Sequence, residues 1–357
     1  MLRGMTSRER VLAAAHRRQP DRVPRDLSWG LSPRVARVFT EKTGLTDPLA
    51  FFKVDTRLVD QPRTRLAGRH ARYHAPGARV DEWGIANETS SDASLHFTHI
   101  VSPLRAARRV EEIADYPLPD FDAPYRTEGL AAEVTRIHAA GLAACAPVAC
   151  TIYEVAWQIR GLEELLTDMM MQPEMADCLY DRIAALRTAQ VQAYVRAGCD
   201  ILMLGDDVSA QTGMIMSPAT WRRFFKPRLA GIIAAARAIA PGLPVFYHTD
   251  GDCRAIIEEL IEIGVTILNP VQPECMDPAE IKRLYGGRLA FWGTIGIQGT
   301  LPFGTPAEVR REVKGRMESV GRDGGFLIGP SHMIEPEVPW ENLVALYDAI
   351  DEFGEYN

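Results

Sequence analysis

The residues of this sequence best suited to chemistry are histidines and carboxylates at the ends of short apolar runs. The run VFYHTDGD ends in His248, Asp250 and Asp252, and the run FLIGPSH ends in His332. Residues i and i+2 of a strand project to the same side, so the pair His248 and Asp250 sends an imidazole and a carboxylate toward one point. Adding His332 from a second run gives two imidazoles and one carboxylate, a set that suits a divalent metal with an open coordination position. Such a metal acts as a Lewis acid or lowers the pKa of a bound nucleophile. The alternative is that both histidines are hydrogen-bonded polar residues lining a pocket.

Other run ends carry further candidates. LMLGDD leaves Asp206 and Asp207 at its end. Consecutive strand residues face opposite ways, so at most one of the two points into a site unless the strand has already ended, and that one could be a general acid or base, or partner to a cationic substrate group. A carboxylate that caps a helix or fixes a loop is the competing reading. TILNPVQ offers Asn269 and Gln272, and LAFWGTIG offers Thr294, as substrate-binding groups. Tyr153 and Glu154 follow CAPVACT, where Tyr153 either donates a hydrogen bond to substrate or is a buried structural tyrosine. Cys150 and Cys253 read as small core residues, and Met169, Met170 and Met171 as fillers of core gaps.

These residues need elements to hold them. Eight apolar stretches recur, at 23–27, 54–59, 142–150, 200–207, 244–250, 265–272, 289–296 and 325–332, each followed by an amphipathic segment. Their continuous apolar centres suit strands buried on both faces, as parallel sheets require. Helix starts are marked by capping boxes at Thr6 with Glu9 and Thr305 with Glu308, and by Asp277–Pro278 and Ser217–Pro218. Pro227 is expected to break the long helical stretch after Ser217, and Gly242 to cap its end. The alternation predicts a single (β/α)8 TIM barrel over residues 1–357, with active-site groups at the C-terminal strand ends. An open doubly wound sheet fits the same alternation, but no GxGxxG follows the early strands. Residues 60–125 break the rhythm with turn-rich pieces and predict an excursion, a hairpin or lid over the barrel mouth.

Composition supports an ordinary globular chain, with 357 residues, 46% hydrophobic and 24% charged. Forty Lys and Arg against 47 Asp and Glu give a net charge of −7, which argues against a nucleic-acid binder. The six cysteines include no CxxC pair and read as reduced thiols. The N-terminus lacks the apolar stretch of a secretory signal, and no run approaches the roughly 18 apolar residues of a membrane span. A cytoplasmic protein is expected.

Several blocks occur together in order: MTSRERVLAAAHRRQPDRVP, GDDVSAQTGMIMSPATWRRFFKPRL, HTDGD, GVTILNPVQPECMDPAEIKRLYGGRLAFWGTIGIQGT and GGFLIGPSHMIEPEVPWENLVALYDA. In these the chain resembles the uroporphyrinogen decarboxylase superfamily, which implies a (β/α)8 barrel. One branch of that superfamily decarboxylates without a cofactor and carries an Arg-rich PxWxMRQAGRY signature; PRDLSWGLSPRVARVFTEKTG stands in that place here. The other branch moves methyl groups between a corrinoid and a thiol, with zinc held by an HxC motif and a distant Cys. His248 matches the first position, Asp250 stands at the Cys of the motif, and the distant Cys falls at or beside His332. The resemblance therefore implies a methyltransferase acting on a small methylated substrate, with a corrinoid protein or a thiol as acceptor. It also implies Zn²⁺ at His248, Asp250 and His332, and points to a homodimer. Asp206 or Asp207, Tyr153 and Asn269 would then position substrate or handle protons. The alternative is a metal-free decarboxylase whose carboxylates stabilise a cationic intermediate. A third reading is a barrel kept as a non-catalytic binding protein.

Overall fold

The apolar runs form parallel strands in a computed structural model of the chain, which describes residues 4–66, 68–74, 79–88 and 99–356. The strands are β1 (Thr56–Leu58), β2 (Ala143–Ala149), β3 (Ile201–Gly205), β4 (Val245–His248), β5 (Ile267–Asn269), β6 (Ala290–Ile295) and β7 (Phe326–Pro330). They pair in parallel in chain order, β1 through β7, with Gly205 opposite His248 and His248 opposite Asn269. Helices return the chain between strands, and the sheet curls into a TIM-barrel-like form. The segment 23–27 touches both of its ends. Asp26 donates its N–H to the Ile328 carbonyl of β7, and the Asp55 N–H, just ahead of β1, donates to the Arg25 carbonyl.

Strand periodicity sorts the side chains into two apolar layers. Ala143, Cys145, Ile201, Met203, Phe246, Ile267, Ala290, Trp292 and Leu327 pack with one another inside the curl. Ala144, Ala146, Leu202, Leu204, Tyr247, Leu268, Phe291 and Ile328 face the surrounding helices. The helix Ser7–Ala15 adds Val11, Ala14 and Ala15 to the inner layer. Because Phe246 and Ile267 point inward, so do His248 and Asn269 two residues later, where the strands end. The apolar filling stops there and the polar site begins.

The helix starts follow their caps. Thr6 with Glu9 and Thr305 with Glu308 form capping boxes, and Ser217 and Asp277 accept N–H groups from the first turns of their helices. The stretch holding Pro227 divides into Pro218–Phe224 and Lys226–Ile239, broken at Phe225. Two expectations are corrected. The cap of Lys226–Ile239 is Ala240, whose N–H donates to the Ala236 carbonyl, and Gly242 lies beyond it in the following turn. Of the three consecutive methionines only Met169 is buried. Met170 and Met171 are each 74% exposed, because that helix buries one face only. Between β1 and β2, Ala86–Glu88 pairs antiparallel with His99–Val101. Of the turn-rich stretch in 60–125, residues 67, 75–78 and 89–98 lie outside the described residues. No helix among the described residues is long and apolar enough to cross a membrane.

Candidate functional site

His248, the last residue of β4, meets Asp250 two residues on and His332 two residues past β7, with one ligand atom from each within 4.8 Å of the others. The inward parity of β4 aims His248 into the mouth, but Asp250 arrives by a turn. Gly251 there has φ +81, and a Cβ on it would lie 2.4 Å from the Ala210 carbonyl oxygen. Only glycine fits this left-handed, close-packed position. The turn is tied on every side. The Asp250 N–H donates to Asp207 Oδ1 at 2.8 Å, the Gly251 N–H to Gln272 Oε1 at 3.1 Å and the Asp252 N–H to the Ala210 carbonyl at 2.9 Å.

The electrostatics of the site are dominated by acids. His248 Nε2 lies 3.5 Å from Asp207 Oδ1 and 3.8 Å from Asp250 Oδ1, and Nδ1 lies 2.5 Å from Asn269 Oδ1. Burial pulls the His248 pKa down, but Asp250 and Asp207, helped by Asn269, outweigh it and the net direction is up. Burial, with Asp207 and Glu274 nearby, pushes Asp250 up to about 6 against the pull of His248. Asp250 Oδ1 is buried with no hydrogen-bond partner among the described residues. A buried carboxylate oxygen left bare costs free energy unless something cationic meets it. Two imidazoles stand beside this one, a donor set that fits a divalent metal of nitrogen and oxygen preference.

The remaining predicted residues divide by what they touch. Asp206 is buried and spends its carboxylate on the N–H groups of Ile152 and Glu154, 2.9 to 3.1 Å away. It thereby anchors the start of the helix Tyr153–Arg160, as the loop-fixing reading of this residue anticipated. Asp207 faces the site. Tyr153 packs its ring edge-on against Phe225, and its buried hydroxyl has no hydrogen-bond partner among the described residues. Gln272 holds the Asp250 turn. Thr294 is buried at φ +71, a strained position for a β-branched residue, with its N–H on the Pro270 carbonyl. Asn269 reaches both His248 and, through Nδ2, the Trp292 carbonyl at 2.8 Å.

Two groups at the site were not promoted from the sequence. Glu154 accepts the Asp207 N–H at 3.0 Å, and burial, then Asp207 and Asp206, push its pKa up to about 8. Its place after an apolar run was the available signal. Trp29 stacks on His332 at 5.8 Å with 10° between the ring planes, and lies 4.6 Å from the His248 ring. It lies two residues past the apolar run 23–27, as Asp250 and His332 lie two residues past the observed ends of β4 and β7. Cys253 is buried and pushed up to about 12, and burial raises Cys150 as well, so neither is a ready thiolate.

The family profile described as uroporphyrinogen decarboxylase (URO-D) matches residues 98–353. A methylcobamide:CoM methyltransferase MtaA of Methanosarcina barkeri is 31% identical over 166 residues, 46% of this chain and 45% of the relative. A uroporphyrinogen decarboxylase of Legionella pneumophila (strain Corby) is 26% identical over 195 residues, 55% of this chain and 53% of the relative. The chain thus spans about half the length of the curated relatives it matches. Among solved structures, a methyltransferase from Methanosarcina mazei superposes with a TM-score of 0.69 at 18% identity, covering 98% of this chain and 99% of that one. At that identity the likeness establishes a shared fold.

Proposed function

This chain belongs to the uroporphyrinogen decarboxylase family, and from that footing we propose that it is a metal-dependent methyltransferase. It takes a methyl group from a small methylated substrate and passes it to a corrinoid protein or a thiol. The observation that carries this reading is the cluster of His248, Asp250 and His332 with its bare, buried carboxylate oxygen. These three side chains would hold Zn²⁺, which when bound supplies Lewis-acid polarisation of the heteroatom that carries the methyl group.

The chain's own residues do the rest. Asp207 and Gln272 fix the Asp250 turn through its backbone N–H groups, so the carboxylate stays aimed at the imidazoles. Asp206 pins the helix start that presents Tyr153 and Glu154. Glu154, with a pKa raised to about 8, keeps a proton near neutral pH and supplies it to the heteroatom that loses the methyl group. The unpartnered Tyr153 hydroxyl and Thr294 orient the substrate. In this reading segment 23–27 closes an eight-stranded barrel. The active protein is a homodimer that meets a separate corrinoid protein.

Gently purified protein is expected to hold close to one equivalent of zinc. With a methylated small molecule as donor and free cob(I)alamin as acceptor, it is expected to form methylcobalamin. Less than about a tenth of an equivalent of metal, with no uptake on adding zinc, overturns the metal reading. Decarboxylation of uroporphyrinogen by metal-free protein, without methyl transfer, establishes the decarboxylase reading in its place.

A further inference from the structure

Asn269 sits at the end of β5 with both ends of its amide engaged inside the protein. Nδ2 lies 2.8 Å from the Trp292 carbonyl oxygen and Oδ1 lies 2.5 Å from His248 Nδ1. A backbone carbonyl only accepts, so the amide atom facing Trp292 is the NH₂ group. That leaves the amide oxygen facing His248, and an oxygen acceptor requires the proton to be on Nδ1. The other ring nitrogen, Nε2, then carries the lone pair of the neutral imidazole. Nε2 is the atom turned toward Asp207 and Asp250. Reversing the arrangement would set an N–H against an N–H on one side and two acceptors together on the other.

We infer that Asn269 is a positioning residue, not a substrate ligand: it relays the backbone of β6 to His248 and locks the tautomer that offers Nε2 to a cation. The use of that nitrogen rests on the metal reading above, but the tautomer itself does not. The lock is rigid because its outer end is a strand carbonyl and Asn269 is 1% exposed. Trp29 packs against the same imidazole ring. Metal-binding histidines whose second nitrogen is held by an outer partner typically lose 10- to 100-fold in affinity when that partner is removed.

The test uses the full chain, labelled with ¹⁵N-histidine, stripped of metal and held at about pH 9, where imidazoles are neutral. Long-range ¹H–¹⁵N spectra report the tautomer of each of the eight histidines, and the signal lost in His248→Ala assigns His248. The expected result is an Nδ1–H tautomer in the wild type and a mixture in Asn269→Leu. Zinc affinity, measured by competition with a chromophoric chelator, is expected to weaken roughly 10- to 100-fold in Asn269→Leu. An Nε2–H tautomer in the wild type, or wild-type zinc affinity in a folded Asn269→Leu, overturns the inference. If Asn269→Leu does not fold, the wild-type tautomer decides alone. Wild-type protein that takes up no zinc overturns the metal reading, while an Nδ1–H tautomer that is lost in Asn269→Leu still supports the lock.

Discussion

Glu154 shows how burial among like charges changes a side chain's state. Folding raises its pKa from the usual carboxylate range to about 8, through burial first and then Asp207 and Asp206. The folded state therefore holds a proton that the unfolded chain has released, and this contribution to stability is complete below the unfolded pKa and lost as pH rises through about 8. Metal-free protein is expected to show a urea midpoint that falls between pH 5 and pH 8.5, and Glu154→Gln to lessen the fall. An unchanged slope in that variant would show that Glu154 ionises normally. His248→Ala is expected to abolish zinc binding in equilibrium dialysis while circular dichroism stays unchanged, since His248 lies beyond the apolar filling of the curl. At this scale the sequence is readable where two candidates share one strand end, as His248 and Asp250 do. It is less readable for Asp206, where alternation alone cannot separate a carboxylate facing a substrate from one facing backbone N–H groups. Trp29 comes from a segment far from β4 and β7 in the chain, and only folding brings its ring onto theirs.

The elements matter through how they end. β4 stops at His248, and the turn after it holds Asp250 only because Gly251 adopts φ +81 against the Ala210 carbonyl. Gly251→Ala puts a Cβ into that carbonyl and strains the backbone, at a cost of about 1–3 kcal/mol. The expected outcome is a lowered denaturation midpoint together with weakened zinc affinity. Wild-type affinity in that variant would mean that the turn does not position Asp250. Strands and helix starts were legible because buried apolar runs and capping residues are local signals, as at Thr305 with Glu308. Helix ends and faces were less so. Gly242 marked the turn but not the cap, and the run of methionines gave no sign of which would face the core. Pro227 predicted the break, which falls two residues earlier at Phe225 because proline suits the first turn of a new helix.

At the scale of the whole molecule, the start of the chain is latched to the sheet by one carboxylate. Asp55, fully buried ahead of β1, accepts from Arg10 at 3.1 Å, from Arg22 at 2.8 Å and from the Arg25 N–H at 2.9 Å. It joins the helix Ser7–Ala15 to the segment 23–27 and to β1. Asp55→Ala leaves the Arg22 guanidinium and the Arg25 N–H without their acceptor, while Arg10 keeps its pair with Asp21, and is expected to cost about 3 kcal/mol in urea unfolding, with zinc affinity of the folded protein unchanged. A loss under about 0.5 kcal/mol would mean that the latch contributes little to stability. The parallel order of the sheet was legible from the alternation of strand and helix, since sequential parallel strands joined by helices have few other solutions. The latch was not, because Arg10, Arg22 and Asp55 look like ordinary surface charges until the fold brings them together.

The proposed metal site of His248, Asp250 and His332 contains no sulfur. The most direct measurement is zinc X-ray absorption fine structure on the zinc-loaded full chain. The expected result is a shell of nitrogen and oxygen at about 2.0–2.1 Å that includes imidazole scattering, reduced by loss of metal in His248→Ala. A shell at about 2.3 Å, the distance of a bound thiolate, would contradict it.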